Sequence, residues 1–94
     1  MRRSDAPSHP MTIEEEWDLR RQLVGRKVLA LIESRRMSFA DASHVTRLSK
    51  SGLYKIADGT SDPSLSSLYK IADFFGISVS DLLPSRQEVN DAQK

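Results

Sequence analysis

Residues 38–59 read SFADASHVTRLSKSGLYKIADG, and their pattern specifies the central helices of the chain. Ser38 and Ser49 each precede a short run in which apolar residues recur three or four positions apart, a pattern typical of helices that begin at a serine N-cap. Gly59 ends the second run, because glycine readily adopts the left-handed conformation that follows a helix C-terminus. The stretch therefore predicts two short helices, over about 39–45 and 50–57, joined by a turn.

The second of these helices has an apolar face and a polar face. Leu53 and Ile56 are spaced to anchor it inward, and the residues left on the outer face are Lys50, Ser51, Tyr54 and Lys55. No acidic residue lies between Asp41 and Asp58, although Arg47, Lys50 and Lys55 are basic. The stretch is therefore a basic patch within a chain whose total charge is small.

The composition of the whole chain excludes several classes of protein. Its 94 residues include 14 Lys plus Arg and 13 Asp plus Glu, and the formal net charge of +1 by itself gives no support for a nucleic-acid partner. Because there is no cysteine, a disulfide scaffold, a thiolate metal site and a cysteine nucleophile are all excluded. The apolar runs are too short to span a membrane, and no apolar segment follows the N-terminal Met-Arg-Arg as it does in a signal peptide. We therefore expect a cytoplasmic protein.

Helix signals outside residues 38–59 predict one all-α domain. Residues 1–11 are expected to be a flexible leader, 12–84 a single domain, and 85–94 a frayed tail that follows Pro84. Thr12 with Glu15 fits a capping box, in which side chain and backbone satisfy one another at a helix N-terminus. The further helices are predicted at 13–36, 65–75 and 79–83, which gives five short helices in total.

Residue patterns typical of enzymes and metal sites are weak in this chain. Ser67 and Lys70 match a Ser-x-x-Lys motif, but the enzymes that use it need a second lobe for which 94 residues leave no room. His9 and His44 each stand alone, so no metal-ligand cluster is predicted. We expect no enzymatic activity, no metal, no cofactor and no small-molecule ligand.

An ordered series of short motifs over residues 23–83 resembles the Cro/C1-type, or XRE-like, helix-turn-helix family of phage repressors and bacterial regulators. The motifs are Leu48-Ser49 at the end of the turn, Asp58-Gly59, Asp62-Pro63-Ser64-Leu65, and the closing run from Phe75 to Leu83. The resemblance implies a compact five-helix, lambda-repressor-like DNA-binding domain. Its helix-turn-helix would be residues 38–59, and its first helix is extended at the N-terminus.

The sequence departs from the family pattern at three places. Phe39 stands where the family often has a glutamine that touches backbone phosphate, so this contact is in doubt. Arg47 replaces the glycine of the turn, and a positive φ there would cost an arginine about 1 kcal/mol. Ala42 stands where the family prefers leucine, and Phe39 is a candidate to fill the space that remains.

By resemblance, the helix at 50–57 is the recognition helix that lies in the major groove. Its candidate base contacts are Lys50, Ser51, Tyr54 and Lys55. Tyr54 offers either its hydroxyl or its ring against a thymine methyl group. The N-cap Ser49 is a candidate phosphate contact, Thr60 is either another or an ordinary loop residue, and Arg47 is a further candidate DNA contact. The alternative interpretation is that Lys50 and Lys55 are ordinary solvated lysines.

The resemblance favours a sequence-specific regulator of transcription, a repressor that binds double-stranded DNA as a homodimer on a palindromic operator. Its dimer surface would be the last helix or the extension around Trp17, which either packs back on the domain or joins two protomers. The alternative is an antitoxin-type or phage immunity protein whose main partner is another protein, such as a toxin.

Overall fold

A hydroxyl side chain precedes each helix of the computed structural model, which describes residues 11–93. Thr12 and Ser38 are two of these N-caps, and the Oγ1 of Thr12 accepts a hydrogen bond from the backbone N–H of Glu15 at 3.1 Å. The elements in chain order are α1 (Ile13–Ser34), α2 (Phe39–Thr46), α3 (Lys50–Asp58), α4 (Leu65–Phe75), a short 3-10 helix (Val79–Leu82) and α5 (Arg86–Ala92). The predicted all-α, five-helix class is confirmed for the described residues.

Residues with a left-handed backbone conformation end α2, α3 and α4. Gly59 after α3 and Gly76 after α4 have φ values of 74° and 70°. Arg47 ends α2 with φ 61°, so an arginine does occupy the left-handed conformation in the turn. Arg36, in the turn after α1, has φ 54°.

One apolar core holds α1 to α4 and the 3-10 helix together. Its most deeply buried large side chains are Val28 of α1, Leu53 of α3, Ile71 of α4 and Leu82 of the 3-10 helix. Side chains between the helices, including Leu48 of the turn, are partly buried against this core. Within residues 11–93, no helix is both long and apolar enough to cross a membrane.

At Gly25, the backbone of α1 lies close to the backbone of α3. A Cβ added at Gly25 would lie 2.5 Å from the carbonyl oxygen of Ala57 and 2.7 Å from that of Ile56. Glycine is therefore needed at this position, because any side chain would push α3 away from α1.

The prediction of a frayed tail over 85–94 is wrong for the residues that form α5. Ser85 and Glu88 form a capping box, and Val89 is only 1% exposed. Lys27 of α1 lies 2.9 Å from Glu88, which ties α5 to α1. A second ion pair joins Arg86 of α5 to Glu16 of α1 at 4.0 Å, so α5 is docked on α1 by one buried valine and two ion pairs. The predicted leader lies largely in residues 1–10, outside the described residues.

Two large apolar side chains near the starts of helices are exposed. Ile13 in the extension of α1 is 72% exposed and Leu65 at the start of α4 is 64% exposed. Trp17 is 53% exposed and lies beside the guanidinium of Arg20, with the cation 5.1 Å from the ring centroid. The N-terminal extension of α1 thus presents apolar surface to solvent.

Candidate nucleic-acid interface

Two buried anchors and one turn fix the orientation of α3. Leu53 and Ile56 are 1% and 5% exposed, so the opposite face of the helix points to solvent. At the turn, the backbone N–H of Leu48 donates to the carbonyl of Ser43 at 3.1 Å. The buried Thr46 hydroxyl donates to the carbonyl of Ala42 at 2.6 Å. These bonds close the end of α2 and the start of the turn that leads to α3.

The outer face of α3 consists of two rows of side chains. Lys50 and Tyr54 are four positions apart and share one row, and Ser51 and Lys55 share the other. The structure places all seven predicted contact residues in exposed positions: Arg47, Ser49, Lys50, Ser51, Tyr54, Lys55 and Thr60. Six of them belong to α3, its N-cap and the turn before it, whereas Thr60 lies beyond its C-terminus.

The basic residues near α3 differ from those of α1 in their partners. On α1, Arg21 is paired with Asp18 and also with Asp62 at 2.8 Å. In the described part of the chain, no carboxylate lies within salt-bridge distance of Arg47, Lys50 or Lys55. These three cations are therefore available to an anion without loss of an internal ion pair.

Tyr54 is packed against Phe39, the first residue of α2. The two rings are nearly parallel, with an interplanar angle of 14° and centroids 4.1 Å apart. One face of the Tyr54 ring is thus covered, while 42% of the residue stays exposed. Phe39 occupies the position where the family glutamine was expected, and it contributes a ring contact to α3 in place of a polar donor.

Ser49 serves as the N-cap of α3. Its Oγ accepts a hydrogen bond from the backbone N–H of Gly52 at 3.0 Å, which leaves the hydroxyl proton for an outside acceptor. A Cβ added at Gly52 would meet only this Oγ, at 2.8 Å, so the glycine is not required for packing against α2.

Thr60 is used internally as a second cap at the C-terminus of α3. Its hydroxyl donates to the carbonyl of Lys55 at 3.3 Å, and its backbone N–H donates to the same carbonyl at 3.0 Å. The single hydroxyl proton of Thr60 is therefore already used within the protein.

The ring contact of Phe39 is a part of this surface that sequence reasoning missed. Residues 39 and 54 belong to different helices, and no local spacing rule links them. The one available signal was the departure from the family pattern at Phe39, the first residue of the helix that packs on α3. In residues 11–93, no group of three or more His, Asp or Glu side chains is arranged to hold a metal ion.

A model of the Cro/C1-type helix-turn-helix DNA-binding domain matches residues 27–85, well over half of the chain. No curated protein matches the sequence significantly. A solved structure of an HTH_3 family transcriptional regulator from Vibrio cholerae is 27% identical, with a TM-score of 0.65 over 70% of this chain. The present chain covers 37% of that protein.

Two further solved structures share the fold at lower identity. The restriction-modification controller protein C.AhdI from Aeromonas hydrophila is 21% identical, with a TM-score of 0.62 over 70% of this chain and 97% of its own. A hypothetical transcription factor, NHTF, from Neisseria is 19% identical, with a TM-score of 0.66 over 90% of this chain and 97% of its own. At these identities the likeness concerns the fold alone.

Proposed function

The chain belongs to the Cro/C1-type family of helix-turn-helix DNA-binding domains, and from that premise we propose that it is a repressor of transcription that binds a palindromic operator as a homodimer. One observation is the main support for this proposal. The outer face of α3 is exposed and holds two unpaired lysines, while its inner face is locked to the core by Leu53 and Ile56. Such a helix suits the major groove of double-stranded DNA.

Each side chain on α3 has a proposed task that follows from its chemistry. Lys50, in the first turn, and Lys55 are long enough to reach guanine O6 and N7 or a phosphate. Ser51 can either donate to or accept from a base edge. Tyr54 meets the bases with the ring face that Phe39 leaves uncovered, or with its hydroxyl.

Phosphate contacts are proposed at the two ends of the turn. Ser49 directs its free hydroxyl proton and the N-terminus of α3 outward, where a helix favours an anion. Arg47 adds a positive charge just before it. Thr60 is the weakest of the proposed donors, because its hydroxyl already bonds to the carbonyl of Lys55.

The homodimer is proposed because one domain spans only about half a turn of DNA, and two copies double the contacts on half-sites about 34 Å apart. The surface that supports it is an apolar groove of about 330 Å³ between α1 and the residues after the 3-10 helix. Trp17, Val24 and Leu83 are among its lining residues. Trp17 and Leu83 are 53% and 44% exposed, as expected of apolar residues that another molecule covers.

Selection of bound duplexes from a random library, followed by affinity measurement over a range of salt concentrations, tests this function. We expect a palindromic consensus, and Lys50→Ala and Lys55→Ala should each lower the affinity for it at least several-fold. Arg86→Ala removes one positive charge from α5, outside the helix-turn-helix, and serves as the control. Binding without sequence preference would contradict the proposal.

The alternative function is that of an antitoxin-type or phage immunity protein bound to another protein. The same groove at Trp17 favours it, since the groove accepts a foreign apolar segment as readily as a second copy. A purified chain that is monomeric at micromolar concentration and binds no operator would favour this alternative. Both functions are non-enzymatic and place the protein in the cytoplasm.

A further inference from the structure

The stack of Phe39 on Tyr54 joins the start of α2 to the exposed face of α3. The rings lie 4.1 Å apart at their centroids and 14° from parallel. Phe39 is itself partly buried against the apolar core. The contact therefore runs from the core, through one ring, to a side chain that is exposed to solvent.

This contact limits the motion of Tyr54. An exposed tyrosine on a helix ordinarily exchanges between rotamers in picoseconds to nanoseconds. The Phe39 ring covers one face of Tyr54 and favours the rotamer in which the two planes are parallel. The side chain is thus ordered before any ligand arrives, so less conformational entropy is lost on binding.

The stack also determines which part of Tyr54 can meet a ligand. The Phe39 ring already covers one face of the Tyr54 ring. The opposite face and the hydroxyl remain for a ligand. An apolar ring face held at a fixed angle suits a methyl group, and the C5-methyl of thymine is the apolar group that the major groove offers.

We propose that Phe39 is a specificity-determining residue that acts through Tyr54, by holding its ring for contact with the C5-methyl group of one thymine in each half-site. The inference rests on the proposed DNA-binding function and names one base that the site reads. Phe39 itself is a positioning residue, because its ring lies behind that of Tyr54.

The test replaces each thymine of the selected operator in turn by deoxyuridine, which lacks only the methyl group. At one position in each half-site, wild-type affinity should fall about fourfold, the value expected for one buried methyl group. Tyr54→Phe keeps the stack and should show the same loss at the same position. Tyr54→Ala and Phe39→Leu should bind the thymine and uracil operators equally there.

Phe74→Leu is the matched control, since Phe74 is also a partly buried phenylalanine packed on the core but lies on α4. This variant should keep the wild-type response to deoxyuridine. Phe39→Met, which retains a long apolar side chain, replaces Phe39→Leu where the latter fails to fold. In the free protein, the upfield ring-current shift of the Tyr54 ring protons should disappear in either Phe39 variant.

Three results overturn the inference while leaving the proposed function intact. The first is an operator in which no thymine responds to deoxyuridine, and the second is a Phe39 variant with the wild-type response. The third is a Phe39 variant that weakens binding equally at all positions and for all sequences. A wild-type protein without any sequence preference would instead contradict the DNA-reading function itself.

Discussion

At the scale of single residues, Arg47 has a strained backbone conformation and carries a positive charge next to α3. Its φ of 61° lies in the left-handed region, where an L-residue is disfavoured by about 1–2 kcal/mol. The family resemblance places a glycine there, which would adopt this conformation freely. The arginine at this position supplies a positive charge two residues before the N-cap Ser49.

Arg47→Gly should therefore raise stability and weaken DNA binding. The relief of strain, partly offset by the greater freedom of glycine in the unfolded chain, should raise the free energy of unfolding by up to about 1 kcal/mol in urea titration. The slope of log affinity against log salt should become shallower by about 1, as expected for one lost phosphate contact. Arg36→Gly relieves similar strain at φ 54° outside the helix-turn-helix. An equal loss of salt slope in both variants would contradict a specific contact by Arg47.

Some properties of single residues could be predicted from the sequence, and others could not. The left-handed conformation of Arg47 could be anticipated from the glycine that the family has there, and the N-cap role of Ser49 from its place before a helix. The contact between Phe39 and Tyr54 could not, because it depends on how α2 and α3 pack. The same holds for Gly25, because its close contact with Ile56 and Ala57 depends on how α1 and α3 pack.

At the scale of the elements, the position of α3 depends on its close approach to α1. The carbonyl oxygens of Ile56 and Ala57 face the empty side of Gly25. Backbone atoms cannot rotate away as a flexible side chain can, so this contact tolerates no added atom. The position of α3 is thus fixed by this backbone contact as well as by the buried side chains of Leu53 and Ile56.

Gly25→Ala should destabilise the fold in spite of the higher helix propensity of alanine. Overpacking against two carbonyl oxygens should lower the free energy of unfolding by about 1–3 kcal/mol, measured by urea titration. Gly52→Ala is the matched control, because its Cβ would meet only the Ser49 hydroxyl. It should change stability by less than about 1 kcal/mol. Equal effects of the two substitutions would show that α1 and α3 are not in tight contact.

The last helix, α5, was not foreseen, and the reason is physical. Val89 is the one large apolar side chain between residues 85 and 94, too few for a periodic pattern. Ser85 and Glu88 do fit a capping box, which was the local signal available. Whether such a box starts a stable helix depends on a partner surface, and here α1 provides it. The helices from α1 to α4 carried their own periodicity and caps, so they could be predicted.

The docking of α5 should depend on pH through Glu88. Hydrogen bonding from the Ser85 backbone, and then from Lys27, lowers the pKa of Glu88 below its ordinary 4.5. A lowered folded-state pKa means that the stabilisation is complete above about pH 4.5 and is lost as the pH falls through the folded value.

The urea midpoint of the wild type should therefore fall towards that of Glu88→Gln as the pH is lowered from 6 to about 3. The difference between the two proteins should be largest near neutral pH. A difference that stays constant over this range would show that the Glu88 carboxylate is not stabilised in the fold.

At the scale of the whole molecule, the distribution of charge matters more than its sum. The net charge is +1, but residues 60–94 contain three basic and five acidic residues. Many cations of α1 and α5 are engaged in ion pairs with carboxylates, whereas those around α3 are not. Such a molecule should bind DNA weakly without a matched site, because few positive charges face the duplex. Occupancy would then rely on a matched sequence and on a second copy.

Trp17→Ser should weaken the proposed dimer strongly. Loss of a buried aromatic anchor typically costs 2 kcal/mol or more, which corresponds to roughly a 30-fold higher dissociation constant. Sedimentation equilibrium measures this directly. Tyr69→Ser is the matched control, since Tyr69 is also 53% exposed but does not line the groove. Dimers of unchanged strength in Trp17→Ser would place the interface elsewhere.

The position of Trp17 has an optical consequence. It is the one tryptophan of the chain, and it lies half exposed beside the groove, whereas the candidate DNA-reading side chains lie on α3 and in the turn before it. Its fluorescence emission responds to the polarity around the indole, so a blue shift reports that the groove has been covered. No residue of α3 is among those that line this groove. The unmodified protein therefore carries its own reporter, one that separates association of two copies from recognition of DNA.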